Sequence, residues 1–323
     1  MKTTASLLFC AVISLSAFMA QASTYPDKEI KIIVNYGVGG VTDAATRLLA
    51  PYLEKDLGQP VVIVNRPGGQ ATLGPAFVAR QKPDGYTIGV VTYSAVAITP
   101  HLIEVPYTAK DFDFVGGYGR FRYGLAVQAD SPYKTVKDFI EASKKSDKPF
   151  FFGAPGAPNN IAFFDLAKLT GASLEQVLYK SGTESVLAVA SKQVQAAIQT
   201  PSEILPQVQS GKVRLLASVS PERWSDLPNM PTMKEAGYDV SIDSWMGLAL
   251  PAGTPKEIVT RLNNALEKAM KNPKLIESLN AMGIDPAWIS GSEYGKRLAD
   301  GYITMRSSLE MSGVPLVPIY KAQ

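Results

Sequence analysis

The stretch IKIIVNYGVGGVTD, which runs from Ile30 to Asp43, decides the fold class of this chain. Its apolar, β-branched first half predicts a buried strand, and its glycines allow the backbone to turn tightly. Thr42 or Asp43 can then cap a helix, because the next apolar positions recur at helical spacing. A strand, a glycine loop and a helix N-terminus present unpaired backbone N–H groups that suit an anion. An ordinary tight turn between strand and helix gives the same pattern.

The first 22 residues predict a secretory signal peptide. Met1-Lys2 is a short basic start, residues 7–20 form an apolar core, and Ala20-Gln21-Ala22 is a small-x-small cleavage site. The apolar run is shorter than the roughly 20 residues that a membrane-spanning helix needs. We therefore expect residues 1–22 to be removed and the mature protein to be exported to the periplasm.

The cysteine and histidine content excludes several kinds of site. Cys10 is the single cysteine of the sequence, and it lies inside the predicted signal peptide. The mature chain would therefore have no disulfide, no thiol nucleophile and no thiolate metal ligand. His101 is the single histidine, and no G-x-S-x-G elbow accompanies it. We predict no metal, no cofactor and no catalytic residue.

The net charge and the chain length limit the partners and the number of domains that the protein can have. The chain has a formal net charge of +3, and its lysines and arginines are spread along the sequence. A dispersed charge of this size argues against nucleic acid as a partner. About 300 residues remain after cleavage, which is enough for two domains of ordinary size.

Repeated strand–loop–helix units, including a helix predicted from about Ala71 to Gln81, indicate an α/β fold with mainly parallel sheets. Crossings near residues 120–126 and 243–250 divide the chain into one domain of residues 23–123 and 246–323 and another of residues 124–245. A cleft between domains favours ligand binding, as does the carboxyl edge of open α/β sheets. The predicted loops at that edge are residues 36–42, 65–70, 92–94, 154–160, 180–184 and 199–202.

Short blocks spread over nearly the whole predicted mature chain carry a family resemblance. They are Tyr36–Asp43, Leu57–Gly69, Pro83–Thr87, Tyr179–Thr183, Gly211–Ala217, Leu227–Thr232, Glu235–Tyr238 and Pro251–Pro255. Each block alone is a common loop, but in this order they resemble the solute-binding receptors of tripartite tricarboxylate transporters, the Bug family. The resemblance implies a periplasmic-binding-protein-like fold, in which two α/β domains close on a small carboxylate held in the cleft between them.

The resemblance also implies partners and site residues. The implied partners are the carboxylate and the membrane permease subunits of a transporter, with no nucleic acid, and we expect a monomer. Family members hold one ligand carboxylate mainly through backbone groups and ordered waters at the first glycine loop. By position, the implied ligand-binding residues are Tyr36, Gly37, Val38, Gly39, Gly40 and Thr42 in one domain and Ala154, Gly156, Ala157, Asn159, Asn160, Ser181, Gly182 and Gln199 in the other.

Further candidates come from residue chemistry and from the departures from the family pattern. Tyr93 and Ser94 end the third predicted strand. Tyr36 and Tyr93, with Phe163 and Trp245, are candidates to line a pocket for an aromatic acid, although core packing is the alternative for Phe163 and Trp245. The chain has Asn35 where the family usually has proline, Val38 where it has a small residue, and Ile161 where a histidine often stands.

A diacid would need a second anchor, and an arginine fork suits a carboxylate. Arg120 and Arg122, near the first predicted crossing, are candidates, with a structural or solvated role as the favoured alternative. Candidate ligands are aliphatic di- and tricarboxylates, aromatic carboxylates such as terephthalate, and amino acids, with a slight preference for an aromatic acid.

Two other functions remain in view. A dinucleotide-dependent enzyme would need a third glycine where Thr42 stands and an acid after the second strand, which ends in Val64-Asn65. A receptor that presents its ligand to a membrane sensor kinase would share the fold and the site of a transport receptor. The first alternative is disfavoured and the second stays open.

Overall fold

The computed structural model describes residues 25–155, 157–311 and 315–318. The predicted signal peptide and Gly156 lie outside these residues. Within the described ranges, none of the helices combines the length and the apolar character needed to cross a membrane.

Strands and helices alternate over much of the described chain. In chain order the strands are β1 (Ile30–Val34), β2 (Val61–Asn65), β3 (Thr87–Val90), β4 (Phe112–Phe121), β5 (Gly124–Gln128), β6 (Phe150–Ala154), β7 (Leu174–Leu178), β8 (Ala196–Gln199), β9 (Val213–Ser218), β10 (Trp245–Pro251), β11 (Ile284–Asp285) and β12 (Ile289–Ser290). The α-helices are α1 (Val41–Leu57), α2 (Leu73–Val78), α3 (Val136–Lys145), α4 (Asn159–Thr170), α5 (Gly182–Ala190), α6 (Pro201–Gln209), α7 (Lys256–Ala269), α8 (Pro273–Ala281) and α9 (Gly291–Met311).

The strands form two sheets, and both are mixed. The first has the order β11-β4-β10-β3-β1-β2, with β12 also paired to β4, and the second has the order β7-β6-β8-β5-β9. In the first sheet β1 runs parallel to β2 and β3, whereas β10 runs antiparallel to β3 and β4. The prediction of mainly parallel sheets is therefore wrong. β10 enters from the other sheet and not through a helical crossover, so nothing requires it to run parallel to its neighbours.

The chain passes between the sheets twice, at points close to those predicted. β4 of the first sheet is followed by β5 of the second, and the segment after β9 returns to β10. The two crossings are hydrogen-bonded to each other, since Val219 N donates to Tyr123 O at 2.8 Å and Phe121 N to Ser244 O at 2.9 Å. The two α/β units are thus connected by two chain segments that are hydrogen-bonded to each other. The exact domain bounds stay a prediction.

Each sheet has its own apolar core. β-Branched residues of β1 pack against the apolar face of α1, which presents Leu49, Leu53 and Leu57 at helical spacing. In the second core Phe163 stacks on Phe152, with ring centroids 4.2 Å apart. Phe163 and Trp245 are both buried in cores, so core packing is the correct interpretation of these two aromatic candidates.

Two helices begin at positions other than those predicted. α1 starts at Val41 after Gly40, and neither Thr42 nor Asp43 caps it, because both lie inside its first turn. α2 spans only Leu73–Val78 and not residues 71–81. The delay follows from the run Gly68 to Ala71, whose four residues have positive φ angles of 120, 57, 52 and 71°. Right-handed helix cannot begin until that run ends.

Candidate functional site

A cleft of about 920 Å³ lies between the two sheets. Its walls are built by the segments that follow β1, β2 and β3 in the first sheet, and by the segment after β6 and the end of β7 in the second. The cleft therefore lies at the carboxyl edges of these strands. Leu309 of α9 also contributes to it. The described residues that line it are Asn35, Tyr36, Gly37, Pro67, Gly68, Gln70, Ala71, Ser94, Ile98, Thr99, Leu102, Pro155, Ala157, Asn160, Gln176, Leu178 and Leu309.

Five of the predicted site residues meet in this cleft. Tyr36, Gly37 and Ser94 lie on the wall of the first sheet, and Ala157 and Asn160 lie on the wall of the second. The two groups are 63 or more residues apart in the sequence. The fold therefore brings together part of each predicted loop set.

In the first domain, the other predicted site residues lie elsewhere. The side chain of Val38 is 77% exposed, Gly39 and Gly40 are also exposed, and Thr42 is buried in the first turn of α1. Tyr93 packs among core residues, and burial raises the pKa of its hydroxyl to about 12. None of these residues lines the cleft.

In the second domain, the remaining candidates serve the protein's own structure. Asn159 donates to the carbonyl oxygen of Ile198 at 2.6 Å and to Gln199 Oε1 at 2.8 Å. The Ser181 hydroxyl caps α5 by accepting from Glu184 N at 3.2 Å. Ala154 and Gly182 are buried, and Gly156 lies outside the described residues.

A chain of hydroxyl groups connects the cleft wall to a buried amide. Asn35 Nδ2 donates to Thr92 Oγ1 at 3.3 Å, Thr92 Oγ1 lies 3.2 Å from Ser94 Oγ, and Ser94 Oγ lies 3.0 Å from the Tyr36 hydroxyl. Because the amide donates the first hydrogen bond, each hydroxyl in turn can accept one hydrogen bond and donate its own toward the cleft. With that orientation the last O–H, on Tyr36, is a donor available to an acceptor in the cleft.

The glycine loop after β1 already contains an anion of the protein itself. Asp43 Oδ2 accepts from Gly39 N at 2.8 Å, and Oδ1 accepts from Asn65 Nδ2 at 2.7 Å. Burial alone would raise the pKa of Asp43, but hydrogen bonds from Arg47, Asn65 and Gly39 outweigh it and hold the pKa below its usual range. The α1 N-terminus thus faces a carboxylate that Arg47 pairs at 3.0 Å.

The N-terminus of α4 has no such side chain. Its N-cap is Pro158, which makes no side-chain cap hydrogen bond, and Asn159 is turned toward β8. Ala157 and Asn160, on either side of this helix start, both line the cleft. The first turn of α4, which contains no acidic residue, therefore presents its positive partial charge at the cleft.

Two amide side chains of the cleft are fixed in orientation by backbone carbonyls, which can only accept. Asn35 Nδ2 donates to Ala71 O at 3.0 Å. On the opposite wall Gln176 Nε2 donates to Ala154 O at 3.4 Å, and Asn160 Nδ2 donates to Gln176 Oε1 at 3.2 Å. The buried oxygens that remain without a hydrogen-bond partner, Asn35 Oδ1 and Asn160 Oδ1, are therefore acceptors.

Comparison with known proteins assigns the family. The family model described as "Tripartite tricarboxylate transporter family receptor" (TctC) matches residues 45–309. The chain belongs to this receptor family. It is thus a periplasmic solute-binding receptor, as the sequence blocks indicated. The family consists of receptors rather than enzymes.

Named relatives agree with this assignment over most of their length. The receptor is 31% identical over 309 residues to the "UPF0065 protein in gbd 5'region" of Cupriavidus necator, covering 94% of each chain. A TctC solute-binding protein from Polaromonas is 28% identical, with a TM-score of 0.79 over 89% of this chain and 99% of the other. The structure of R. palustris Rpa4515 with adipate is 26% identical, with a TM-score of 0.77 over 91% of this chain and 100% of the other.

Neither arginine candidate lines the receptor's cleft. Arg120 pairs with Asp285 at 3.2 Å and with Asp243 at 3.7 Å, and it also contacts Glu222. Arg122 pairs with Asp226 at 2.5 Å. Burial raises the pKa of Asp285 even though both guanidinium groups oppose the shift. The favoured structural interpretation agrees with this placement, which is at the crossings between the sheets.

Several cleft residues were missed by sequence reasoning. The composition of residues 65–70 predicts a loop at the sheet edge, but it does not single out Pro67, Gly68 or Gln70 as site residues. A continuation of the segment after Ser94 along one helix face would have pointed to Ile98 and Leu102. Nothing in the sequence pointed to Gln176, Leu178 or Leu309. Among the described residues, no group of three or more His, Cys, Asp or Glu side chains is placed to hold a metal ion.

Proposed function

We propose that this receptor captures a small carboxylate by closure of its two domains and delivers it to the membrane permease of a tripartite transporter. The family membership supports a transport role, and the relative with adipate supports a carboxylate ligand. We also propose that residues 1–22 direct export and are cleaved, and that the mature receptor is a monomer.

The observation that carries the proposal is the pairing of two donor sets on opposite walls of one cleft. The Tyr36–Ser94 hydroxyl pair lies on the first wall, and the uncapped N-terminus of α4 lies on the second. A carboxylate accepts hydrogen bonds through both oxygens, so it can bind both sets at once. Hydrogen bonds to a charged group contribute about 1.5–3 kcal/mol each, and a partly buried helix N-terminus up to about 2 kcal/mol.

Closure follows from the division of these donors between the walls. A ligand held by the first wall alone gains nothing from domain movement. A ligand that also reaches α4 binds the closed form more tightly, and the difference in affinity is what drives closure. The permease then needs to recognise only the closed form.

The test begins with receptor purified from the periplasm of an expression host, because its mass reports whether cleavage follows Ala22. Thermal unfolding is then measured against a panel of mono-, di- and tricarboxylates and amino acids. A ligand at a hundred times its Kd stabilises by about 2.7 kcal/mol, which raises the Tm by several degrees. A panel in which no carboxylate changes the Tm would contradict the proposal.

Two variants then test the assigned donors by calorimetry with the best ligand. Tyr36→Phe and Ser94→Ala each remove one hydroxyl from the cleft wall, and we expect each to weaken binding by about 10- to 100-fold. The matched controls are Tyr52→Phe on α1 and Ser210→Ala after α6, since neither residue lines the cleft. Equal affinities in the site variants and the controls would place the carboxylate elsewhere.

A further inference from the structure

The cleft is lined by neutral side chains. None of the described residues that form its walls is lysine, arginine, histidine, aspartate or glutamate. A carboxylate in this cleft is therefore held by hydroxyl and backbone N–H groups. A second carboxylate on the same ligand would meet no side chain of opposite charge within the described lining.

Polar and apolar lining residues are separated along one helical segment. Ser94, beside the Tyr36 hydroxyl, begins a π-helical turn that ends at Ile98. Leu102 follows four residues later, after a short 3₁₀ turn. Ile98 lies about one π-helical turn farther along the segment than Ser94. The donors thus lie at one end of the segment and the large apolar side chains at the other.

The apolar end is a packed cluster built from three parts of the chain. Ile98 and Leu309 of α9 form a buried cluster with Ile161 of α4, and Leu102 and Ala157 pack against it. Ile161 lies outside the cleft lining, and it joins α4 to the two apolar side chains that line the cleft.

Leu178 provides an apolar group on the opposite wall. It ends β7, lines the cleft, and its side chain is 72% exposed. A large apolar side chain this exposed at a ligand cleft gains the most if a ligand with an apolar surface covers it. Leu178 is therefore placed to contact the body of a ligand whose carboxylate lies at Tyr36.

The cleft amides offer few donors to a second carboxylate. Asn35 Nδ2 donates both of its N–H groups, to Ala71 O and Thr92 Oγ1, and Asn160 Nδ2 and Gln176 Nε2 each donate one of their two to another protein atom. The atoms of Asn35 and Asn160 that lack partners are acceptors, as carboxylate oxygens are. Placing a second carboxylate against these groups and the apolar cluster would remove its water and replace only part of the lost hydrogen bonds.

We propose that the receptor selects a monocarboxylic acid with an apolar body, either aliphatic or aromatic, over the corresponding dicarboxylic acid. The carboxylate binds at Tyr36 and Ser94, the body lies on the cluster of Ile98, Leu102 and Leu309, and Leu178 covers it. This inference rests on the proposed function, because it assumes that the cleft binds a carboxylate.

Matched pairs of acids test the selection by titration calorimetry. Hexanoate and adipate differ only in the terminal group, and so do benzoate and terephthalate. We expect the monoacid of at least one pair to bind at least tenfold more tightly than its diacid. A diacid that binds as tightly as its monoacid in both pairs overturns the inference and leaves the proposed function standing. Failure of the whole carboxylate panel overturns the proposed function itself.

Two substitutions of the exposed Leu178 test its role with little risk to folding. Leu178→Ser should weaken monoacid binding by about three- to tenfold, and Leu178→Lys should supply a counter-charge and shift the preference toward the diacid. The matched controls are Leu187→Ser and Leu187→Lys, since Leu187 is 46% exposed on α5 and lies outside the cleft lining. A monoacid-to-diacid ratio that both Leu178 variants leave unchanged overturns the assignment.

Discussion

Arg122 donates from Nη1 to Asp226 Oδ1 at 2.5 Å, and this pair joins the first crossing to the second. The other guanidinium nitrogen, Nη2, donates to the carbonyl oxygen of Asn280 in α8 at 2.9 Å. The Arg122 side chain is 1% exposed and lies over the ring of Trp224. A buried cation thus connects three separate segments at the crossings between the two sheets.

Removing the charge from Asp226 should destabilise the receptor. Asp226→Asn leaves the buried Arg122 with the more distant carboxylate of Asp285, 3.8 Å from Nε, and we expect a loss of about 1–3 kcal/mol in the free energy of unfolding. Urea denaturation at neutral pH measures it. The control is Asp130→Asn, which breaks an exposed pair with Lys192 and should change little. Equal losses of unfolding free energy in the two variants would show that burial of Arg122 adds nothing to the strength of its ion pair with Asp226.

The Asp43 carboxylate should make stability depend on pH in the acidic range. Its pKa is depressed in the folded state, so its contribution is present above the unfolded-state pKa of about 3.9 and is lost as pH falls through the folded value. Asp43→Asn should therefore cost about 1–3 kcal/mol at neutral pH and much less in strong acid. Urea denaturation across this pH range compares the variant with wild type and with Asp147→Asn, an exposed control. A difference that does not shrink in acid would contradict this assignment.

Much of the fold could be predicted because its strands are short apolar runs between glycine-rich loops. β1 and β2 lie in register from Ile30 opposite Val61 to Val34 opposite Asn65, and both matched their predicted positions. The direction of β10 could not be predicted, since Trp245–Pro251 is equally apolar in a parallel or an antiparallel position. Strand polarity depends on where the chain comes from, and local sequence does not record that.

The site was only partly predictable for a similar reason. Tyr36 and Gly37 of the loop after β1 line the cleft, whereas Gly39 N of the same loop donates to Asp43 Oδ2. A glycine loop shows that backbone N–H groups are available, but it does not show which carboxylate accepts hydrogen bonds from them. Leu309 could not be predicted at all, because α9 reaches the cleft only through tertiary packing.

Glycines of the cleft loop and the core should differ sharply in their tolerance of a side chain. A Cβ on Gly247 of β10 would lie 2.6 Å from the carbonyl oxygen of Gly116 and against the ring of Tyr294, so the backbone itself would have to move. We expect Gly247→Ala to cost about 3 kcal/mol or more, or to prevent folding. Gly37→Ala is the control, since its Cβ would meet no atom within 4 Å. Comparable Tm values for the two variants would refute the packing argument.

Replacing Ala71 by glycine should destabilise the receptor far less than replacing a helical alanine by glycine. Its φ of +71° lies in the left-handed region, which costs an L-residue about 1–2 kcal/mol, and its carbonyl accepts from Asn35 at the cleft. Ala71→Gly relieves that strain while adding about 0.5–1 kcal/mol of unfolded-state entropy and losing one buried methyl group. The net change should lie within about 1 kcal/mol of zero. Ala45→Gly, at a buried position in α1, gains no such relief and should cost about 1.5–2 kcal/mol. Denaturant unfolding of both variants measures the gap, and equal losses would show that the left-handed turn before α2 stores no strain.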